Sequence, residues 1–219
     1  GKVAIVAGDE ISVNDAYKEV VSLAELLAAP VYGSSWPAHI PYPTSHYLWR
    51  GNLPTSTEAI GNTMSDFDAV LAFGGKSFIT VLYSDKPALP EDCDLYQLSS
   101  DGRDLGRSYA TKLSLVGDIE YSERELNDLL QKEVQSKSDE YGLERVKASK
   151  LFSDARRELN KRADQLSVRE PLHPMPVARE LARATGKTPI VDEALATTTH
   201  LSQCLANAHP RQSYMNPCC

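Results

Sequence analysis

The chain has little that would take it to a nucleic acid, a membrane or a metal ion. Its 23 basic residues are outnumbered by 30 acidic ones, for a formal charge of -7, and no block of Lys and Arg stands out. Neutralising a phosphate backbone needs clustered cations, so DNA and RNA are not expected partners. Long apolar runs are missing too. The best, Val3-Ala4-Ile5-Val6-Ala7 and Ala69-Val70-Leu71-Ala72-Phe73, fall far short of a bilayer span and read as buried strands. No basic-then-apolar leader opens the sequence. Cysteine is scarce: Cys93, Cys204, Cys218 and Cys219 lack the paired CxxC spacings of structural zinc, and the vicinal pair reads as ordinary packing. These absences point to a cytoplasmic protein with no nucleic-acid or membrane partner.

What is present is ordinary globular composition, 42% hydrophobic and 24% charged, enough to bury a core. The first apolar run, Lys2 to Ala7, ends at Gly8, and helical spacing then puts Val20, Leu23, Ala24 and Leu27 on one face of a helix over 14–28 that Pro30 stops. A short strand, 31–34, follows directly. Residues 36–54 carry Pro37, Pro41, Pro43 and Pro54 between aromatic residues, which predicts a long ordered loop rather than a regular element. Its aromatics suit a core edge, a subunit interface or a ligand site. A helix is expected over 55–64 from a start at Ser56 or Thr57, then strands over 69–73, 95–98 and 112–116, and a last helix over 122–134. Alternating strands and helices make an α/β, Rossmann-like parallel sheet of about five or six strands with helices on both faces the consistent solution.

Beyond it, residues 135–171 are rich in charge and poor in strong apolar positions, among them Leu143, Val146, Leu151, Phe152 and Leu159. This stretch reads as a charged, largely helical linker lying on the outside. A new α/β segment starts near Leu172, with a helix over 177–185 ended by Gly186 and a short strand over 189–191. The stretch 172–219 is too short for a domain of normal size, so it is expected to be a truncated one.

Nucleotide motifs fail on inspection. Gly8-Asp9-Glu10 has no GxGxxG spacing and would set two acids against a pyrophosphate. Gly74-Gly75-Lys76-Ser77 lacks the first glycine of a phosphate loop, because Val70 stands there. The carboxylates show no persuasive pairing, and there is neither a serine nucleophile elbow nor an HExxH. His39 and His46, seven positions apart in the Pro-aromatic loop, fit packing or ligand contact. The most chemical stretch is Asp192 to Thr199. Following a strand and opening a helix, it can bind an anion through backbone N–H groups, or it can simply be capped by Asp192, Thr197 or Thr198.

Several stretches in order resemble thiamine diphosphate-dependent enzymes of the benzoylformate decarboxylase and acetolactate synthase-like branch. They are Lys2 to Gly8, Ala24-Glu25-Leu26-Leu27-Ala28-Ala29-Pro30-Val31, Ile40 to His46 with Arg50-Gly51-Asn52-Leu53-Pro54, Phe67 to Gly75, Leu172-His173-Pro174, and Ile190-Val191-Asp192-Glu193-Ala194. The resemblance implies a middle domain over 1–134, the linker over 135–171, and over 172–219 the incomplete start of the domain that binds diphosphate and Mg2+. The cofactor-activating glutamate of the family's first domain and its GDG motif are not in this sequence.

By that resemblance the chain is a portion of a thiamine diphosphate-dependent 2-oxo acid decarboxylase, a lyase, or of a carboligase, inactive by itself. The alternatives are an acetolactate synthase-like transferase and a noncatalytic regulatory or scaffold fragment. Thiamine diphosphate and Mg2+ are the implied cofactors of the intact parent, a 2-oxo acid its substrate and a homo-oligomer its state. FAD enters only by analogy with some synthases. Glu193 is expected to shape the active-site edge, with Ala196 and Thr197 near the diphosphate. No catalytic base and no metal ligand is assigned. Val81 stands near the position of a middle-domain histidine of benzoylformate decarboxylase and cannot transfer a proton, while Leu195 and Ala196 stand where that relative has hydroxyls.

Overall fold

A computed structural model describes residues 1–81, 84–134, 138–186, 188–194, 197–205 and 214–215. The first strand, β1 (Val3–Ala7), is apolar throughout because it is buried on both faces. Successive side chains alternate across a strand, so Ile5 and Ala7 enter one core with Leu23, Val31 and Phe73, while Ala4 and Val6 enter a second with Ile60, Met64 and Val70. Around it lie β2 (Val31–Gly33), β3 (Trp49–Asn52), β4 (Ala69–Phe73), β5 (Asp94–Ser99) and β6 (Leu113–Val116). The six form one sheet in the order β3-β2-β1-β4-β5-β6, every neighbouring pair parallel. Parallel neighbours need crossovers, and α-helices lie on those from β1 to β2 and from β3 to β4, while the Pro-aromatic loop makes the one from β2 to β3. The helix α2 (Tyr17–Leu27) and the later α4 (Ile119–Val134) cover the Ile5 face, and α3 (Thr57–Met64), capped by the Ser56 hydroxyl, covers the other. The expected α/β sheet with helices on both faces is therefore the observed one.

Two local expectations change. The helix expected over 14–28 is shorter, α2 beginning at Tyr17, and a separate short helix that was not expected, α1 (Asp9–Val13), precedes it, the two parted at Asp15, which takes a φ of 58°. The second ends on Ala28 in the left-handed conformation, with Pro30 only beyond it. The Pro-aromatic stretch, read as lacking regular structure, contains β3. This edge strand is four residues long, is partly exposed along its length and joins β2 through a register shift, so it has no period-2 signature.

One side chain runs against the core's chemistry. Glu123 on α4 is fully buried, and neither carboxylate oxygen has a hydrogen-bond partner among the described residues. Burial first, and then the nearby Glu19 on α2, push its carboxyl well above the ordinary range.

The linker is mostly one helix, α5 (Ser138–Leu166), 29 residues and about 43 Å long. It touches the rest through guanidinium groups and through small apolar side chains, Ala148 packing against the Ile5 core and Ala163 fully buried. Arg145 donates to the Glu25 carbonyl at 2.8 Å, in the last turn of α2. Helix α6 (Pro174–Thr185) starts earlier than expected because Pro174 fills its first turn and His173 Nδ1 accepts the Met175 N–H at 3.1 Å. The chain continues through β7 (Ile190–Val191) and α7 (Thr198–Cys204), and β7 pairs parallel with β8 (Tyr214–Met215). Among the described residues no helix is long and apolar enough to cross a membrane. Cys93 and Cys204 are buried free thiols, whereas Cys218 and Cys219 lie outside the described residues.

Candidate functional site

In an open parallel sheet of this order, ligands usually settle where the strand order reverses, beyond the carboxyl ends of β1 and β4. Here the chain's own groups fill that crevice. Gly8 N–H donates to Phe73 O at 2.7 Å and Glu10 N–H to Gly74 O at 3.2 Å. A Cβ on Gly8 would stand 2.2 Å from the Gly74 carbonyl oxygen, so the two turns approach as closely as glycine permits. The Glu10 carboxylate then crosses to the end of β5, accepting from Ser99 Oγ at 3.0 Å, Ser100 N–H at 3.0 Å and Ser100 Oγ at 3.1 Å. A carboxylate occupies the place where a pyrophosphate would need donors.

The open space lies instead past the ends of β2 and β3, a cavity of about 960 Å³. Three parts of the chain build it. Trp36, Trp49, Arg50 and Leu53 come from the Pro-aromatic loop and β3, Phe152, Arg156 and Leu159 from α5, and Glu193, Thr199 and Leu205 from the third segment. The loop holds its shape because Tyr42 is fully buried beneath it. Tyr42 stacks on Trp49 at 5.9 Å between ring centres, and its hydroxyl lies 3.0 Å from His46 Nδ1. His46 reaches Glu25 through Nε2 at 3.2 Å, so this histidine packs the loop. His39 N–H donates to Asp9 at 2.9 Å, while its buried Nδ1 has no hydrogen-bond partner among the described residues.

The same loop fastens the third segment. Thr44 Oγ1 donates to the Leu205 carbonyl at 3.1 Å in a buried contact, and Ile40 packs with Ala178, Leu201 and Leu205. From the other side, Arg156 of α5 donates to the Gln203 carbonyl at 2.9 Å. The cavity is thus a three-sided junction rather than a dent in one domain.

Two polar groups in its wall are unusual. Ser35 is 7% exposed, and its hydroxyl has no partner among the described residues. Arg50 is half-buried with Nη1 held by the carbonyls of Tyr47 at 2.8 Å and Trp49 at 3.0 Å. Burial pushes its guanidinium below the ordinary value, and the groups that oppose this shift are the phenols of Tyr32 and Tyr42, not a carboxylate.

Of the residues expected at a site, Glu193 is in the wall and exposed. Thr197 is the N-cap of α7, exposed and outside the cavity wall, and makes no side-chain cap bond. Ala196 lies outside the described residues, as does Leu195. Asp192, 4% exposed, accepts the Ala194 N–H at 2.9 Å within its own turn. Thr199, one residue among the hydroxyls of that stretch, reaches the wall. Val81 is 57% exposed and its N–H donates to the carbonyl of Thr55, a wall residue, at 3.1 Å. The sequence reading did not single out Ser35, Arg50 or Arg156. No three His, Cys, Asp or Glu side chains gather as a metal site among the described residues. His173 and His200 meet with ring centres 5.4 Å apart, and burial, then His173 and Arg162, push His200 below its ordinary value.

Comparison with known proteins agrees with the fold. The family described as thiamine pyrophosphate enzyme, central domain, matches residues 1–126. A benzoylformate decarboxylase of Pseudomonas aeruginosa is 29% identical over 115 residues, 52% of this chain and 22% of that protein. A sulfoacetaldehyde acetyltransferase of Castellaniella defragrans is 30% identical over 126 residues, 56% of this chain and 21% of that one. The solved thiamine diphosphate-dependent 4-hydroxybenzoylformate decarboxylase of Rhodococcus jostii RHA1 superposes over 99% of this chain and 37% of its own, with a TM-score of 0.73 at 19% identity. The matched stretch spans about a fifth of the length of either curated relative.

Proposed function

The chain belongs to the thiamine pyrophosphate enzyme family through its central domain, and from that premise we propose that it is a portion of a thiamine diphosphate-dependent enzyme acting on 2-oxo acids, a decarboxylase or carboligase. The observation that carries the reading is the junction cavity. It brings Arg50 and Leu53 of the family's central domain into one wall with Glu193 of the following segment. In this reading Glu193 stands at the edge of the active site, and the tryptophans and Leu53 exclude water from it. Val81 near the same rim carries no proton, so protonation falls to another group.

The described residues fit one rim of a thiamine diphosphate site, not the whole of it. Ala194 N–H is already bonded to Asp192, α7 is only seven residues long, and no metal-ligating cluster gathers among the described residues. When bound, the cofactor supplies the electron sink for carbanion chemistry. The 219-residue chain is expected to be inactive alone. We place this unit in a homo-oligomeric parent. A transferase is the second reading, supported by the 30% identity to the sulfoacetaldehyde acetyltransferase.

The test is the intact mass of the natively produced protein, followed by 2-oxo acid consumption with thiamine diphosphate and Mg2+ supplied. A mass well above 24.1 kDa with cofactor-dependent consumption supports the proposal. A larger protein that consumes acetyl donors but no 2-oxo acid alone moves the transferase to first place. A native protein of 24.1 kDa that neither turns over 2-oxo acids nor binds the cofactor sinks both.

A further inference from the structure

The six-stranded sheet has two edges, and only one is built against further pairing. An edge strand offers a row of unpaired N–H and C=O groups, which native sheets blunt with charges and bulges. At one edge, β3 carries Arg50, turns Gly51 to a φ of 94° and joins β2 through a register shift. At the other, β6 reads Leu113-Ser114-Leu115-Val116, with no charge, proline or register shift in it. Leu113 is 50% exposed, Leu115 51% and Val116 66%, and among the described residues no strand pairs with the outer side of β6. Leu113 and Leu115 stand beside Tyr96 and Leu98 of β5, and Leu98 belongs to the Ile5 core. The apolar surface of that core therefore runs out past the last strand uncovered. Lys112 N–H donates inward to the Leu95 carbonyl at 2.7 Å. Inward groups recur at every second residue, so Leu113 and Leu115 turn their N–H and C=O groups outward.

We propose that β6 is an interaction surface for a second copy of this chain, the two strands pairing antiparallel about a two-fold axis at Ser114. In that register Leu113 exchanges two backbone hydrogen bonds with the partner's Leu115, and Leu115 does the same with the partner's Leu113. The four leucines share one face and close over the uncovered edge of both cores. The charges select this occupant and this direction. Lys112 opens the strand and Asp118 follows it, so antiparallel pairing sets each lysine diagonally beside the partner's Asp118, whereas parallel pairing would set like on like. The β3 edges left outside are the blunted ones, so assembly through the sheet stops at two copies. One four-residue strand per copy is a small contact, under about 1,200 Å² in total, and the dimer is expected to be weak, with a Kd of about 10–100 µM. The inference rests on the proposed function only in giving its homo-oligomer a surface, and stands apart from the cofactor and the reaction.

The 219-residue chain, with Cys218→Ser and Cys219→Ser to remove competing thiols, is followed by sedimentation velocity from about 1 to about 200 µM. A monomer–dimer equilibrium is expected. Leu115→Lys puts a charge on the edge and is expected to weaken association about tenfold or more, with the melting temperature unchanged because that side chain is half exposed. Ser114→Cys reads the register. The two copies of residue 114 form the non-hydrogen-bonded pair on the axis, about 4.5 Å apart at Cα, within the span of a disulfide. Mild oxidation is expected to link Ser114→Cys into a dimer and to leave Leu113→Cys unlinked, since the two copies of residue 113 would stand more than about 7 Å apart. The serine gives up only its contact with Thr111 Oγ1 at 2.8 Å. No association up to the highest concentration overturns the proposal. So does a dimer that Leu115→Lys leaves undiminished, or linkage of Leu113→Cys as readily as Ser114→Cys. A longer native protein in which Ser114→Cys does not link would show the edge covered by its own chain, and overturns it too. Cofactor-dependent 2-oxo acid turnover alongside any of these results leaves the enzyme reading standing and removes only this surface.

Discussion

Glu123 gives the sharpest test of how this fold is held together. Its folded-state carboxyl is raised well above the ordinary 4.5, by burial and then by Glu19, whereas in the unfolded chain it titrates normally. Above 4.5 the unfolded state releases a proton that the folded state retains. The stability associated with Glu123 is therefore fully present below that value and is lost as pH rises toward the folded-state value. The loss approaches about 1.4 kcal/mol for each pH unit in which the folded group stays protonated while the unfolded one is ionised. Glu123→Gln keeps the shape and cannot ionise. Its advantage over the native chain should thus be small in acid and grow by about that amount per unit, equivalent to roughly 3–5 °C in melting temperature for a chain of this size. Urea unfolding followed by circular dichroism at a series of pH values, native chain against variant, isolates this one group because every other titration is common to both. A difference that is flat with pH, or that widens toward acid, would refute the argument that the carboxyl is buried without a partner.

Two further substitutions probe the crevice and the junction. Gly8→Ala sets a methyl 2.2 Å from a backbone oxygen that has nowhere to retreat. It should cost about 3 kcal/mol or more, read as a fall in melting temperature. Thr44→Val removes the buried donor to the Leu205 carbonyl. The expected cost is about 1–2 kcal/mol, with faster amide hydrogen exchange confined to residues 201–205 and the six-stranded sheet unaffected.

The sheet was legible because β1 and β4 lie at its centre and are apolar on both faces, a signal that survives without knowledge of their neighbours. The edge strand β3 was not. Its partly exposed residues have no alternation, and Gly51 at a φ of 94° breaks the run. The linker's helicity could be read, but its part in a cavity could not. Phe152 and Leu159 are too few for a core, yet enough to close one wall. At the site, Glu193 was reached through family resemblance, while Arg50 and Ser35 carry no local signal of a site. The character of Arg50 comes from burial beside Tyr42 and Trp49, which is a tertiary fact. Glu123 is the same case, an acid in a charged helix that the packing of α2 against α4 removes from water.

The contacts that fix α5 have one further consequence. Arg145 and Arg156 grip the carbonyls of Glu25 and Gln203, each in the last turn of its helix, and neither needs the side chain at the position it grips. A joint made to the backbone is blind to residue identity. The end of α7 can therefore drift in sequence while the strut keeps its hold there, and substitution of Gln203 should leave the spacing of the segments as it is, whereas the Glu25 carboxylate also holds His46 of the loop.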